Sequence, residues 1–105
     1  MGQMSASEWQ RLSEAIVTWT GRGAFASPRR DDALLVQRFG SGEAMSLIPK
    51  VHAMAREFYL SKANQVANDL AEMAYMASEE FKNRYPDISE DAASALAWCY
   101  TFDYK

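Results

Sequence analysis

Seven carboxylates in the second half of the chain are spaced as metal ligands could be. Asp69 and Glu72 stand three apart, Glu79 and Glu80 follow two turns later, and Asp87, Glu90 and Asp91 lie just beyond Pro86. On a helix the first four form one acidic strip. Hard divalent cations take oxygen ligands that converge from facing helices, so two such sets could hold Mg²⁺. Capping and solvation account for the same residues. Asp87-Ile88-Ser89-Glu90 has the Asp-x-x-Glu form in which carboxylates satisfy the free N–H groups of a helix start. A polar strip along a helix is also what a solvated face requires. We therefore expect no metal, no cofactor and no catalytic residue.

Two other reactive side chains lead to the same expectation. His52 is the only histidine, so no zinc set of the His-x-x-x-His kind can form, and a partly buried, hydrogen-bonded imidazole is expected. Cys99 is the only cysteine, so no internal disulfide is available. It falls on an apolar helical face in an acidic neighbourhood, which makes an inert core thiol rather than a nucleophile. Gly21-Arg22-Gly23 follows a helix pattern, not a strand, and cannot be a phosphate loop.

Interaction chemistry is better represented. Trp98, Tyr100, Phe102 and Tyr104 place four of the thirteen aromatic residues within seven positions. Aromatic side chains supply large burial and are enriched in binding hot spots, and on a helix these four cannot all face one core. With the acidic strip they suggest a surface for a basic protein partner, made of Asp69, Glu72, Glu79, Glu80, Trp98, Tyr100 and Tyr104. A C-terminus wedged against Trp9 and Trp19 is the structural alternative. The loop carrying Arg22, Arg29 and Arg30 offers a second, basic surface to an acidic partner.

Charge is unevenly spread. Residues 1–62 carry +2, residues 63–104 carry −6, and Lys105 completes the net −3. An acidic half repels phosphate backbones, so nucleic acid is not expected as a partner. Hydrophobic residues make up 49 % of the chain and charged residues 24 %, a globular composition. No apolar run approaches the roughly eighteen residues of a membrane span. Met1 to Ser5 lack the features of a signal peptide, and Ala6 breaks the myristoylation pattern that would use Gly2. The expectation is a cytoplasmic protein with one domain over residues 1–105.

The elements that position these groups are helices. The organising stretch is Pro49 to Tyr85, bounded by prolines and containing neither glycine nor proline after its first residue. Tyr59, Ala63, Val66, Leu70, Met73, Ala77 and Phe81 recur by fours and threes along one face. One helix of this length would span roughly 54 Å; otherwise two helices meet near Ser61-Lys62. Pro49 suits a first helical position, which leaves Glu43–Ile48 as a separate turn. Before it, a first helix starts at Ser5 or Ser7, where Ser5-x-x-Glu8 has the capping-box form, with Trp9, Leu12, Ile16 and Trp19 on one face and Gly21 and Gly23 at its end. Asp31-Asp32, or Ser27-Pro28, starts a second helix that closes at Gly40-Ser41-Gly42. After Pro86 a helix rich in small residues, with Ile88, Ala92, Ala95, Leu96, Cys99 and Phe102 on one face, should fold back antiparallel on the long element. It should end near Tyr100, leaving an ordered tail. The fold expected is a compact all-α bundle of four to five helices around the 49–85 element.

Two family resemblances follow from short motifs. The acidic strip resembles the acidic helices of MazG-type nucleotide pyrophosphohydrolases, which implies a divalent-metal-dependent all-α enzyme. Trp19-Thr20-Gly21, with Tyr75-Met76-Ala77-Ser78-Glu79, resembles the Trp-x-Gly turn and Tyr-x-x-x-Asp/Glu pattern of the small secreted helical-hairpin proteins, which implies pairing with a second similar chain. The expectation carried forward is a small non-enzymatic interaction module, such as an immunity-type inhibitor or adaptor. It would bind a basic protein surface as a monomer or as a homodimer.

Overall fold

The computed structural model describes residues 3–105, and among them the regular structure is entirely helical. The order is α1 (Ala6–Thr20), α2 (Asp32–Phe39), α3 (Ser41–Phe58), α4 (Ala63–Val66), α5 (Leu70–Arg84) and α6 (Glu90–Tyr104). α4 is a single turn, so five helices and one turn make up the bundle. Met1 and Gly2, and with them the reading of Gly2, lie outside the described residues. The radius of gyration is 13.4 Å, against about 13 Å for a compact chain of this length.

Local chemistry sets most of the helix ends. Ser5 and Glu8 form a reciprocal capping box at the start of α1, and Gly21 closes that helix in the left-handed conformation (φ 81°). Asp31 rather than Ser27 caps α2, its carboxylate accepting from the Ala33 N–H. Gly40 ends α2 and begins α3 within one residue, at φ 83°. Ser89 caps α6, although the Asp87-x-x-Glu90 pattern suggested Asp87.

The Pro49–Tyr85 stretch is divided. α3 starts eight residues before Pro49 and carries the proline in its interior, absorbing the turn expected at Glu43–Ile48. Pro49 cannot donate to the Met45 carbonyl one turn earlier. Met45 is 76 % exposed, so water can take that carbonyl. α3 then stops at Phe58, and the chain leaves helical geometry around Leu60–Lys62 and again at Ala67–Asp69 before α5 begins. The break lies where the sequence allowed two helices to meet, and side-chain hydrogen bonds make it favourable. Ser61 Oγ accepts from the Ala63 N–H, and Asp69 caps α5 by accepting from the Glu72 N–H. As a result Val66 and Leu70, expected on the buried stripe, are 61 % and 42 % exposed.

The most enclosed element is α6. Ala92, Ala93, Ala95, Leu96, Ala97, Cys99 and Tyr100 are all buried, because α1 and α5 pack on it from two sides. Small residues let both helices approach closely. α6 folds back on α5 across the five residues Tyr85–Ser89, as expected, but it stays helical through Tyr104, past the end expected near Tyr100. Leu12, Ile16, Leu35, Val51, Met54, Phe58 and Phe81 complete one continuous core. No helix among the described residues is long and apolar enough to cross a membrane.

Candidate partner-binding surface

The acidic and aromatic features meet in a groove between α5 and α6. Its volume is about 380 Å³. Ala74, Ser78, Ser94 and Ala97 are small, so the two helices leave a furrow between the larger Tyr75 and Trp98. Tyr75 is 68 % exposed and Trp98 half-buried. Glu79, Lys82 and Glu90 line the same groove, and Arg22 reaches it from the α1–α2 loop. The Arg22 guanidinium lies 6.0 Å from the centre of the Trp98 ring, at the outer limit of a cation–π contact.

Electrostatics in the groove turn on Lys82. Its Nζ donates to both carboxylate oxygens of Glu90 at 2.9 Å and stands 2.9 Å from Glu79 Oε2. These bonds, Glu90 first and Glu79 second, push the lysine pKa up to about 12. Glu79 and Glu90 form a carboxylate pair facing across two helices, as the metal reading required. The space between them is filled by an ammonium group. Among the described residues no three His, Cys, Asp or Glu side chains are gathered so as to hold a metal ion.

The seven residues expected at the surface have separate fates. Asp69 is the N-cap of α5, and Glu72 reaches back to accept from the Asn68 N–H. Both serve the helix start, as capping chemistry predicts. Glu79 and Trp98 share the groove. Glu80 is exposed and enters no ion pair among the described residues. Tyr104 is 45 % exposed, with its ring 4.9 Å from that of Tyr100. Tyr100 must be removed from the surface, since it is fully buried. Its hydroxyl reaches the Ser61 carbonyl at 2.9 Å and Asn64 Oδ1 at 2.7 Å, and it accepts from the Asn64 N–H. Its ring packs edge-on against Phe58 and Tyr59. Trp9 packs on Tyr85 and Trp19 on His52, while the rings of Tyr100 and Tyr104 lie against each other.

Tyr75, Lys82 and Glu90 were not assigned to this surface from the sequence. Tyr75 carried a readable signal: it stands three after Glu72 and four before Glu79, an aromatic set on the polar strip. Lys82 and Glu90 become neighbours only when α6 folds back.

The remaining polar residues tie helices together. Trp19 Nε1 donates to Asp32 Oδ1 at 2.9 Å, and His52 Nε2 lies 2.7 Å from the same oxygen. Burial opposes ionisation of Asp32, but the bonds from His52 and Trp19 together hold its pKa below the usual carboxylate range. His52 is thus the half-buried, hydrogen-bonded histidine expected. Trp19-Thr20-Gly21 closes a 15-residue helix and leads into a loop, so the hairpin that the Trp-x-Gly resemblance implies is not formed. Comparison of the chain with protein-family models, with curated proteins and with solved structures finds no match.

Proposed function

We propose that the protein is a small interaction module that engages a basic protein surface through the α5/α6 groove. The observation that carries this reading is a furrow of small residues lined by the solvent-exposed Tyr75 and the half-buried Trp98, with Glu79 and Glu90 in the same lining. Aromatic walls offer a desolvated seat for an aliphatic stem or a guanidinium, and the carboxylates offer charge-assisted acceptors. Lys82 already bonds both carboxylates, so a partner's cation would share them with it or displace it. Glu80, Asp87 and Asp91 add negative charge on the same two helices and their connection. The acidic second half steers a cationic partner and sets the salt dependence of its capture. An inhibitor of the immunity type or an adaptor is the role this chemistry fits.

Peptide display against the immobilised protein tests the proposal. Sequences rich in Arg and Lys with an apolar anchor should be enriched on the native chain and lost on Tyr75→Ala/Glu79→Lys. Enrichment of acidic sequences, or enrichment indifferent to both substitutions, would contradict it.

A further inference from the structure

A second hollow lies between the end of α1, the loop after it and α2, with a volume of about 450 Å³. Val17, Ala24, Phe25 and Leu34 give it an apolar lining, and Arg22 and Arg38 line it too. Gly21 lets the loop close over α1. It holds φ at +81°, and a Cβ there would stand 2.7 Å from the Phe25 ring. Phe25 is therefore held at the wall while still 37 % exposed, with the Arg29 guanidinium 4.3 Å above its centre.

Two of the guanidiniums around this hollow have no carboxylate partner among the described residues, a state they share with Arg56. Arg11, Arg30 and Arg84 each bond a carboxylate at 2.5 to 2.9 Å. Arg22 and Arg29 pair with no carboxylate among the described residues and instead lie over Trp98 and Phe25. Arg38 donates to Thr18 Oγ1 and stands 3.8 Å from Glu14. An apolar hollow bordered by two guanidiniums without a carboxylate, Arg22 and Arg29, and by Arg38, which shares Glu14 at 3.8 Å, is complementary to an apolar anchor flanked by negative charge.

We infer that this hollow binds an acidic protein segment, which seats one bulky apolar side chain against Val17, Phe25 and Leu34 and lays flanking carboxylates on Arg22, Arg29 and Arg38. Guanidinium is suited to this because its planar fork takes carboxylates in pairs. The site is separate from the α5/α6 groove in lining and in charge, and Arg22 alone borders both. Together they would let one small chain join an acidic and a basic partner.

Fluorescence anisotropy with a labelled peptide holding one Phe among glutamates is the test. Saturable binding is expected, weakened at least about tenfold, or about 1.4 kcal/mol, when the glutamates become lysines or the Phe becomes Ser. Arg22→Glu/Arg38→Glu should abolish it, and Ala24→Trp, which fills the hollow, should do the same without reversing charge. Circular dichroism would establish that both variants are folded. Binding of the lysine peptide equal to that of the glutamate peptide, or no binding at millimolar peptide, would overturn the inference. So would displacement of the peptide by decanoate or oligothymidylate at lower concentration, or concentration-dependent self-association abolished by the same variants. Each of those assigns the hollow to another occupant. Failure here leaves the groove proposal standing, since Tyr75 and Glu79 play no part in it.

Discussion

Arg30 clasps Asp103 with two parallel bonds, Nη1 to Oδ2 at 2.5 Å and Nη2 to Oδ1 at 3.0 Å, across 73 residues of sequence. Tyr59 Oη also donates to Asp103, so the loop after α1, the end of α3 and the last turn of α6 meet at one carboxylate. Arg30 holds a left-handed backbone, φ 52°, which costs an L-residue about 1–2 kcal/mol. The clasp offsets that strain.

The Arg30 bonds, opposed by burial and aided by Tyr59, hold the Asp103 pKa below the usual carboxylate range. A depressed carboxylate pKa contributes stability above the unfolded value of about 3.9, and that stability is lost as pH falls through the folded value. Asp103→Asn should therefore cost about 1–2 kcal/mol at neutral pH, with the difference shrinking below about pH 4. Urea denaturation at pH 7 and at pH 3 measures both. An equal cost at the two pH values would show that the charge plays no part.

Tyr100 anchors the chain break that separates α3 from α5. Tyr100→Phe leaves the buried groups around Ser61 and Asn64 short of a partner, at a cost of about 1–3 kcal/mol. Amide exchange should quicken over residues 61–66 more than over α1. Uniform acceleration across the chain would mean that the hydroxyl has no local role.

What the sequence made legible is the chemistry that acts over four or five residues. The capping box at Ser5, the left-handed stop at Gly21 and the start at Asp31 need no distant partner, and each is where its residue types place it. The all-α class followed from the same signals. The Pro49–Tyr85 stretch misleads because its apolar period is genuine at Met73, Ala77 and Phe81, while the Ser61 Oγ bond to the Ala63 N–H and the Asp69 cap interrupt it upstream. The sequence places Tyr100 on the surface because nothing within its own helix shows that Ser61 and Asn64 take its hydroxyl. The groove was half legible: Glu79 and Trp98 were singled out, but their meeting depends on how α6 packs.

Pro49 in the interior of α3 removes one backbone hydrogen bond. Pro49→Ala should raise stability by about 1–2 kcal/mol, less than the roughly 3 kcal/mol helix penalty because the unfolded chain gains freedom. Thermal denaturation followed by circular dichroism would show a higher midpoint. A lower one would mean that the core around Val51 and Met54 depends on the proline's geometry.

Cys99 is 1 % exposed, and burial pushes its thiol pKa up to about 11. Thiolate is the reactive form, so labelling by an aromatic disulfide reagent at neutral pH should be slow in the native protein and fast in denaturant. Rapid native labelling would contradict an inert core thiol.

The interaction reading rests on the furrow between Tyr75 and Trp98. Amide-shift mapping during titration of isotope-labelled protein with an arginine-rich amphipathic peptide tests it most directly. Saturable shifts concentrated at Tyr75, Ser78, Glu79, Ser94 and Trp98, weakening with added salt, are expected. Shifts centred elsewhere, or none at millimolar peptide, would contradict it.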